Sequence, residues 1–139
     1  MTEQEGVIMY RLDYRSSPAC GEALLESLQQ WRLTLNQLGL IGQDDRRYGG
    51  LGYGNISIRH KDGFIISGTQ TGHLDRLTPE HYAFVETCDP KVNHIVASGP
   101  VKPSSEALTH GAVYQLDDTI QAVIHVHSPE IWSLSDRLF

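Results

Sequence analysis

Two short segments joined by a tight turn are the feature of this sequence that most restricts the possible folds. Polar and apolar residues alternate in Asn55-Ile56-Ser57-Ile58-Arg59, and a second apolar run follows in Phe64-Ile65-Ile66. Between them lies His60-Lys61-Asp62-Gly63, whose Asp-Gly pair is a preferred sequence for a hairpin turn. Because successive side chains of a strand point to opposite faces, the pattern predicts two antiparallel strands.

A long helix is predicted before this hairpin. Its apolar residues follow one another at alternating steps of four and three, which is typical of one helical face: Leu24, Leu28, Trp31, Leu35 and Leu38. Ser17 is a suitable N-cap, Pro18 a suitable first helical residue, and Gly39 and Gly42 suit the end. We predict that Leu24, Leu28, Trp31 and Leu35 pack on a sheet that holds Ile56, Ile58, Ile65 and Val123.

The other predicted elements alternate between strands and helices. Residues 1–16 are predicted as a strand or arm, residues 82–86, 94–97 and 122–127 as strands, and residues 102–115 as the second main helix. Thr78-Pro79-Glu80 is predicted as a capped turn and Ser128-Pro129 as the start of a third helix. This order favours an α/β sandwich on a mainly antiparallel sheet, with residues 1–139 forming a single domain.

Composition limits the class of protein and of partner. The chain has 139 residues, of which 40% are hydrophobic and 20% charged, with a net charge of −6. These values favour one folded domain and give no indication of a nucleic-acid partner. Cys20 and Cys88 lack a short-spaced pairing, and no apolar run approaches the about 20 residues that span a bilayer. The N-terminus is polar and acidic, so we predict a soluble, cytoplasmic protein without a membrane partner.

Two histidines on one predicted strand are the strongest indication of chemistry. In Ala122-Val123-Ile124-His125-Val126-His127, the histidines are two residues apart, so their side chains project from the same face. Two adjacent imidazoles are suitable ligands for Zn²⁺ or a similar divalent metal, although a typical site has three or four protein ligands. The alternative is that His125 and His127 are unrelated residues near a strand end.

An anion-binding site is the second hypothesis. Lys102-Pro103-Ser104-Ser105-Glu106 places two hydroxyls at a predicted helix N-terminus, where backbone N–H groups favour anions. Residues 52–55 and 67–72 form two loops of small residues that resemble anion-binding nests. Ordinary helix capping and tight glycine turns remain alternatives. His110 and Tyr114, one helical turn apart, are interpreted as half-buried packing residues.

Taken in order, these motifs resemble the class II aldolase/adducin family. The resemblance runs from about Leu24 to the C-terminus, and it rests on four segments: Gly54-Asn55-Ile56-Ser57, residues 66–72 with Leu77-Thr78, Pro103-Ser104-Ser105-Glu106 with His110 and Tyr114, and the His-x-His strand with Ser128. The resemblance implies a three-layer α/β/α sandwich with a mainly antiparallel central sheet.

The same resemblance implies a function and a set of site residues. It indicates a metal-dependent aldolase, lyase or epimerase that acts on a small sugar phosphate and stabilises an enediolate. His125 and His127 would ligate the metal, with zinc expected first, and Glu106 would be the catalytic acid/base. The substrate phosphate would lie against Asn55, Thr71, Gly72, Ser104 and Ser105. Family members are commonly homo-oligomers, so self-association is expected.

One departure from the family pattern leaves a second interpretation open. Family enzymes carry a third histidine ligand downstream of the His-x-His strand, but no histidine follows His127 here. We therefore predict a domain that lacks the C-terminal part of the family fold, with weak metal binding and little activity. Glu106 and the two histidines favour a metal-dependent enzyme, whereas the missing ligand favours a non-catalytic interaction module, as in adducin, or an inactive fragment.

Overall fold

A computed structural model describes residues 10–138 of the chain, so the start of the predicted N-terminal arm lies outside the described residues. Eight strands follow in chain order: β1 (Arg11–Ser16), β2 (Gly42–Gln43), β3 (Gly52–Tyr53), β4 (Asn55–His60), β5 (Gly63–Ser67), β6 (Tyr82–Asp89), β7 (His94–Gly99) and β8 (Ala122–His125). The helices are α1 (Glu22–Gln37), α2 (Ala107–Tyr114), α3 (Pro129–Ser133) and α4 (Ser135–Leu138). None of the helices found among residues 10–138 is both long and apolar enough to cross a bilayer.

The central sheet is mixed. Its six strands lie in the order β1-β7-β6-β5-β4-β8, and β2 and β3 form a separate two-stranded sheet. β1 pairs with β7 in parallel, whereas the other pairings of the central sheet are antiparallel. The predicted hairpin is present as β4 and β5, with His60 opposite Gly63 at the turn. The prediction of a mainly antiparallel sheet did not foresee the parallel contribution of the N-terminal strand.

The hydrophobic residues form two clusters, one on each face of this sheet. Leu25, Leu28 and Leu35 of α1 pack with Ile56 and Ile65. Ala107, Leu108 and Tyr114 of α2 pack with Phe64, Ile66 and Val85. Because Phe64, Ile65 and Ile66 are consecutive in β5, their alternation assigns α1 and α2 to opposite faces. Val123 lies in this sheet as predicted, but it packs against the cluster beneath α2 rather than the one beneath α1.

Helix α1 differs from the prediction in its start and in its buried face. It begins at Glu22 rather than at Ser17-Pro18, because the Ser17 N–H donates to the Gly99 carbonyl at 3.1 Å and prolongs the pairing of β1 with β7. Leu28 and Leu35 are buried as predicted, but Leu24 and Trp31 are 40% and 57% exposed. The helix is rotated so that Leu25 and the polar Arg32 are buried instead.

Helix α2 starts later than predicted, at Ala107 instead of residue 102. The residues before it pair with the loop that follows β5. The Ser104 N–H donates to the Ser67 carbonyl at 3.1 Å, and the Thr69 N–H donates to the Lys102 carbonyl at 3.0 Å. In a helix that begins at residue 102, the Lys102 carbonyl would accept from the N–H of residue 106, but here it accepts from Thr69 instead.

Shortening Leu28 tests the packing of α1. Leu28 is 2% exposed within the cluster beneath the helix. We expect Leu28→Ala to lower the free energy of unfolding by about 2–5 kcal/mol, because it removes apolar contacts and leaves a cavity. Leu24→Ala is the matched control on the exposed face, and it should change stability by less than about 1 kcal/mol. Equal losses for the two variants in chemical denaturation would contradict this packing.

Candidate functional site

A pocket of about 130 Å³ lies where β4, β8 and the start of α2 meet. Ten residues line it: Tyr48, Leu51, Gly52, Tyr53, Gly54, Asn55, Ser105, Glu106, His125 and His127. Five of them, Asn55, Ser105, Glu106, His125 and His127, are residues to which the family resemblance assigned a role in the site. The pocket therefore unites the His-x-His segment, the Glu106 helix start and the Asn55 strand start.

The pairing of β4 with β8 places Asn55 beside His125. These two residues are directly opposite each other in the antiparallel register. The His125 Nδ1–H donates to the Asn55 Oδ1 at 3.2 Å, and the His110 Nε2–H donates to the same oxygen at 2.6 Å. With Nδ1 used in this way, Nε2 is the ring nitrogen of His125 that a metal could reach.

The strand β8 ends at His125, two residues earlier than predicted, so His127 lies beyond its end. Its backbone N–H donates to the Leu40 carbonyl at 3.0 Å. The rings of His125 and His127 are nevertheless adjacent, with centroids 4.9 Å apart. Burial lowers the pKa of His127, the neighbouring His125 acts in the same direction, and Glu106 opposes them. The lowered pKa favours the neutral imidazole, which is the form that ligates metals.

Glu106 and Ser105 reach the pocket from the start of α2. Glu106 is the N-cap residue of this helix, and its Oε2 accepts a hydrogen bond from the Thr109 hydroxyl at 3.2 Å. Ser105 is buried in the pocket wall. Ser104 does not line the pocket; its Oγ accepts the Glu106 N–H at 3.2 Å. Ser104 therefore forms a local hydrogen bond just before the helix, and its proposed phosphate contact stays a prediction.

Thr71 and Gly72 lie behind the pocket wall rather than in it. The Thr71 hydroxyl donates to the Gly68 carbonyl at 2.9 Å. Gly72 packs so closely on Gly52 that an added Cβ would be 2.9 Å from the Gly52 Cα and 2.7 Å from the Gly42 carbonyl oxygen. Gly72 thus permits the close approach that holds Gly52 at the pocket. Phosphate binding by Thr71 and Gly72 stays a prediction.

Sequence reasoning missed the aromatic wall of the pocket. The Tyr48 ring meets the His127 ring edge-on at 4.8 Å, and the Tyr53 ring is 5.5 Å from it. The guanidinium of Arg47 lies 4.6 Å from the centre of the Tyr53 ring and donates to the Gly39 carbonyl at 3.3 Å. The Arg-Arg-Tyr run in this loop was visible, but only the fold brings it next to His127.

The interpretation of His110 as a half-buried packing residue is wrong. His110 is 0% exposed, and its two ring nitrogens contact Asn55 and the Ser57 hydroxyl. Ser57 also contacts the Tyr114 hydroxyl at 2.7 Å. The spacing of His110 and Tyr114 along one helical face could have indicated this contact, together with the polar Ser57 in an otherwise apolar strand.

The burial of His110 predicts a pH dependence of stability. Burial lowers its pKa to about 3, and the nearby His125 acts in the same direction. The folded state therefore binds fewer protons than the unfolded state, whose histidine pKa is about 6.5. This contribution to stability is complete above pH 6.5 and is lost as the pH falls toward 3.

Between about pH 7 and pH 5, the free energy of unfolding should fall by about 2 kcal/mol through His110 alone. Urea denaturation across this range, compared with His110→Phe, measures the contribution. The variant should show a shallower dependence on pH. Identical slopes for the two proteins would contradict a buried, neutral His110.

The pocket contains side chains whose chemistry suits a metal ligand. Within residues 10–138, no group of three His, Cys, Asp or Glu side chains converges closely enough to hold a metal ion. His125 and His127 offer two imidazoles, and the carboxylate of Glu106 faces the same pocket. The two imidazoles suit a borderline divalent metal such as Zn²⁺, but two are fewer than the three protein ligands of a usual catalytic site.

Comparison with known proteins finds one family and several relatives. The family model described as "Class II Aldolase and Adducin N-terminal domain" matches residues 43–138. An L-fuculose phosphate aldolase from Methanococcus maripaludis is 41% identical over 85 residues, which cover 60% of this chain and 42% of the relative. A 3-oxo-tetronate 4-phosphate decarboxylase from Haemophilus influenzae is 32% identical, with 66% of this chain and 40% of the relative covered.

A further relative extends the range of reactions. A methylthioribulose-1-phosphate dehydratase from Methylococcus capsulatus is 34% identical over 82 residues, covering 59% of this chain and 35% of the relative. The matches thus span at most about two-fifths of the length of these curated relatives.

Proposed function

The chain belongs to the class II aldolase and adducin N-terminal domain family, and from this we propose that its pocket binds a small sugar phosphate in a metal-dependent aldolase or lyase reaction. The names of the three relatives describe an aldolase, a decarboxylase and a dehydratase, and each names a phosphorylated substrate. Substrate phosphate is therefore the common feature, whereas the bond that breaks differs. We also propose the family's three-layer α/β/α arrangement and a cytoplasmic location.

The observation that carries the proposal is the meeting of three kinds of group in one pocket. The imidazoles of His125 and His127 are adjacent, the carboxylate of Glu106 faces them, and Asn55 and Ser105 supply polar groups to the same wall. An aldolase or lyase needs this combination: a metal-binding pair, a proton carrier and donors for an anion.

Each side chain has a distinct part in the proposed reaction. Members of the family generally use a divalent metal, which would supply Lewis-acid stabilisation of an enediolate. His125 and His127 would hold that metal, and Glu106 would accept and return the proton at the reacting carbon. The hydroxyl of Ser105 and the amide of Asn55 would orient the substrate by hydrogen bonds to its phosphate.

The alternative is a non-catalytic interaction module, as in adducin. One observation favours it: the described residues supply two imidazoles and no third ligand that converges with them. On this ground we expect metal binding to this chain to be weak and its turnover to be low. The alternative predicts further that the pocket has no affinity for sugar phosphates.

Binding of sugar phosphates distinguishes the two functions without requiring turnover. We would titrate the chain with several small sugar phosphates and with the matching unphosphorylated sugars, and follow backbone amide signals by NMR. The proposal expects saturable shifts at Ser105 and Asn55 with the phosphorylated compounds, and weaker shifts in Ser105→Ala. Thr87→Ala is the control, because Thr87 carries an exposed hydroxyl on β6 and does not line the pocket. Shifts elsewhere, or none, would support the interaction module.

We also propose that the chain self-associates. Apolar side chains are exposed along the edge strand β8 and the two short helices after it: Ile124, Val126, Ile131, Trp132 and Leu134. Several exposed apolar side chains in one segment of the chain are typical of an interface. Trp132 is 80% exposed, and Trp132→Ser should weaken association, whereas Leu116→Ser, at an equally exposed site outside this surface, should not. Sedimentation that shows only monomers at tens of micromolar would contradict the proposal.

A further inference from the structure

We propose that Tyr114, Ser57 and His110 form a positioning chain, which fixes the orientation of the Asn55 amide and the tautomer of His125. The proposal deepens the proposed function and rests on it, because Asn55 and His125 are two of the pocket groups to which that function assigns chemistry. The three members of the chain do not line the pocket. They act through Asn55, which does.

The contacts run without a break from the core to the pocket. The Ser57 Oγ is 2.7 Å from the Tyr114 hydroxyl and 2.7 Å from the His110 Nδ1. On the other side of the His110 ring, Nε2 is 2.6 Å from the Asn55 Oδ1. The same oxygen lies 3.2 Å from the His125 Nδ1. Five side chains are thus linked by four hydrogen bonds.

The direction of these hydrogen bonds follows from the burial of the chain. Ser57 and His110 are 0% exposed and Tyr114 is 5% exposed, so water does not supply missing partners. Burial raises the pKa of Tyr114, which keeps the phenol protonated, and burial keeps His110 neutral. Tyr114 then donates to Ser57, Ser57 donates to the His110 Nδ1, and the His110 Nε2–H donates to Asn55. This order gives every donor in the chain an acceptor.

The geometry of the sheet and helix explains why these residues meet. Asn55 and Ser57 are two residues apart in β4, so both side chains face α2. His110 and Tyr114 are four residues apart in α2, so they lie one above the other on the face that meets β4. The Phe64 ring packs at 6.4 Å from His110 and at 5.0 Å from Tyr114, which holds both rings in place.

The positioning chain has two consequences for groups in the pocket. The Asn55 oxygen accepts from both His110 and His125, so the amide nitrogen of Asn55 points away from them. Within residues 10–138, this nitrogen has no hydrogen-bond partner. It is therefore a donor for an oxygen of a bound substrate. His125 is held with its proton on Nδ1, which leaves the Nε2 lone pair for a metal. Hydrogen bonds of this kind raise the basicity of a ligand histidine and fix its ring orientation.

The direct test is the tautomer of His125 in the metal-free protein. Long-range ¹H–¹⁵N NMR spectra distinguish the two ring nitrogens, and they would be recorded at about pH 8, above the usual histidine pKa. Wild type should show His125 protonated on Nδ1 and His110 protonated on Nε2. In His110→Phe, the chain is interrupted beside Asn55, and the His125 signals should become those of mixed tautomers.

Two further variants keep the test decisive. Ser57→Ala removes one hydroxyl and should leave the fold intact. This variant replaces His110→Phe if His110→Phe does not fold, and it should also give mixed tautomers of His125. His60→Phe is the matched control, since His60 lies on β4 but contacts Phe84 instead of the chain. It should leave the His125 signals unchanged. A wild-type His125 protonated on Nε2, or an unchanged tautomer in both His110→Phe and Ser57→Ala, would overturn the proposal.

A second readout separates this proposal from the proposed function. Loss of a hydrogen bond behind a ligand histidine typically weakens metal affinity by about 10- to 100-fold. We expect this loss for Zn²⁺ in Ser57→Ala, and no loss in His60→Phe. If wild type binds no Zn²⁺, the proposed metal site fails. The tautomer measurement still decides whether the positioning chain holds His125 in one tautomer.

Discussion

Replacing Arg32 with methionine should lower the free energy of unfolding by about 3–5 kcal/mol. Arg32 is 2% exposed in α1. Its Nη1 donates to the Leu74 and Asp75 carbonyls at 2.8 and 3.1 Å, and its Nη2 donates to the Thr71 carbonyl at 3.2 Å. Methionine fills much of the same volume but leaves these carbonyls without a donor. The expected loss is large because unsatisfied buried acceptors are costly.

Arg59→Met is the matched control. Arg59 also donates to three backbone carbonyls, those of Tyr114, Asp117 and Ile120, but it is only partly buried, so water can replace it. In urea denaturation, the free energy of unfolding of this variant should be about 1–2 kcal/mol below that of wild type. An equal or smaller loss in Arg32→Met would show that Arg32 does not hold the loop over α1.

The effect of Arg32 should extend to the pocket. Its hydrogen bond to Thr71 holds the residue before Gly72, and Gly72 packs against Gly52 in the pocket wall. Amide hydrogen exchange near Gly52 and Gly72 should therefore become faster in Arg32→Met. Unchanged exchange there would limit the role of Arg32 to the stability of α1.

Replacing Glu106 with glutamine should lower any aldol cleavage by the chain about 100-fold or more. Glutamine keeps the size of the side chain and removes its ability to accept a proton. The assay would use several sugar phosphates with excess Zn²⁺ or Mn²⁺, because the described residues provide no third converging ligand. Sugar-phosphate binding should change only a few-fold, since Ser105 and Asn55 remain.

Glu130→Gln is the matched control for this change. Glu130 lies in the first turn of α3, is exposed and does not line the pocket. Its replacement should leave turnover unchanged. Equal turnover in wild type and Glu106→Gln would remove Glu106 from the proposed proton transfer, and a parallel loss of substrate binding would assign it to binding instead.

Local patterns predicted most strands of the sheet and five of the residues that line the pocket. The Asp-Gly turn located β4 and β5, and the two-residue spacing of His125 and His127 predicted adjacent rings. These features depend on neighbouring residues, whose geometry is set by the period of a strand or the conformation of a turn.

Contacts between distant segments could not be predicted in this way. The burial of Arg32 depends on a loop about 40 residues later, whose carbonyls accept its protons. The apolar pattern of the helix therefore predicted that Trp31 is buried, whereas Trp31 is exposed and Arg32 is buried instead. The displaced start of α2 has the same origin, since the Lys102 carbonyl accepts from Thr69 in the earlier loop instead of from the first turn of a helix.

In the site, too, local features were predicted and contacts between distant segments were not. Sequence spacing indicated Asn55, Ser105, Glu106 and the two histidines, but Tyr48 and Tyr53 reach His127 only through the folded loop. His110 is buried with hydrogen bonds at both ring nitrogens, a role that depends on the register of β4 under α2. Thr71 and Gly72 lie behind the wall, since their loop folds against Gly52.

The most direct test of the central claim is a Zn²⁺ titration of the chain followed through the ring ¹⁵N signals of its seven histidines. The account predicts that His125 and His127 respond together at one Zn²⁺ per chain, that the other five do not bind, and that dialysis removes the metal. His125→Ala and His127→Ala should each abolish the response. Responses at other histidines, no response at either of this pair, or one Zn²⁺ per chain retained after dialysis would contradict it.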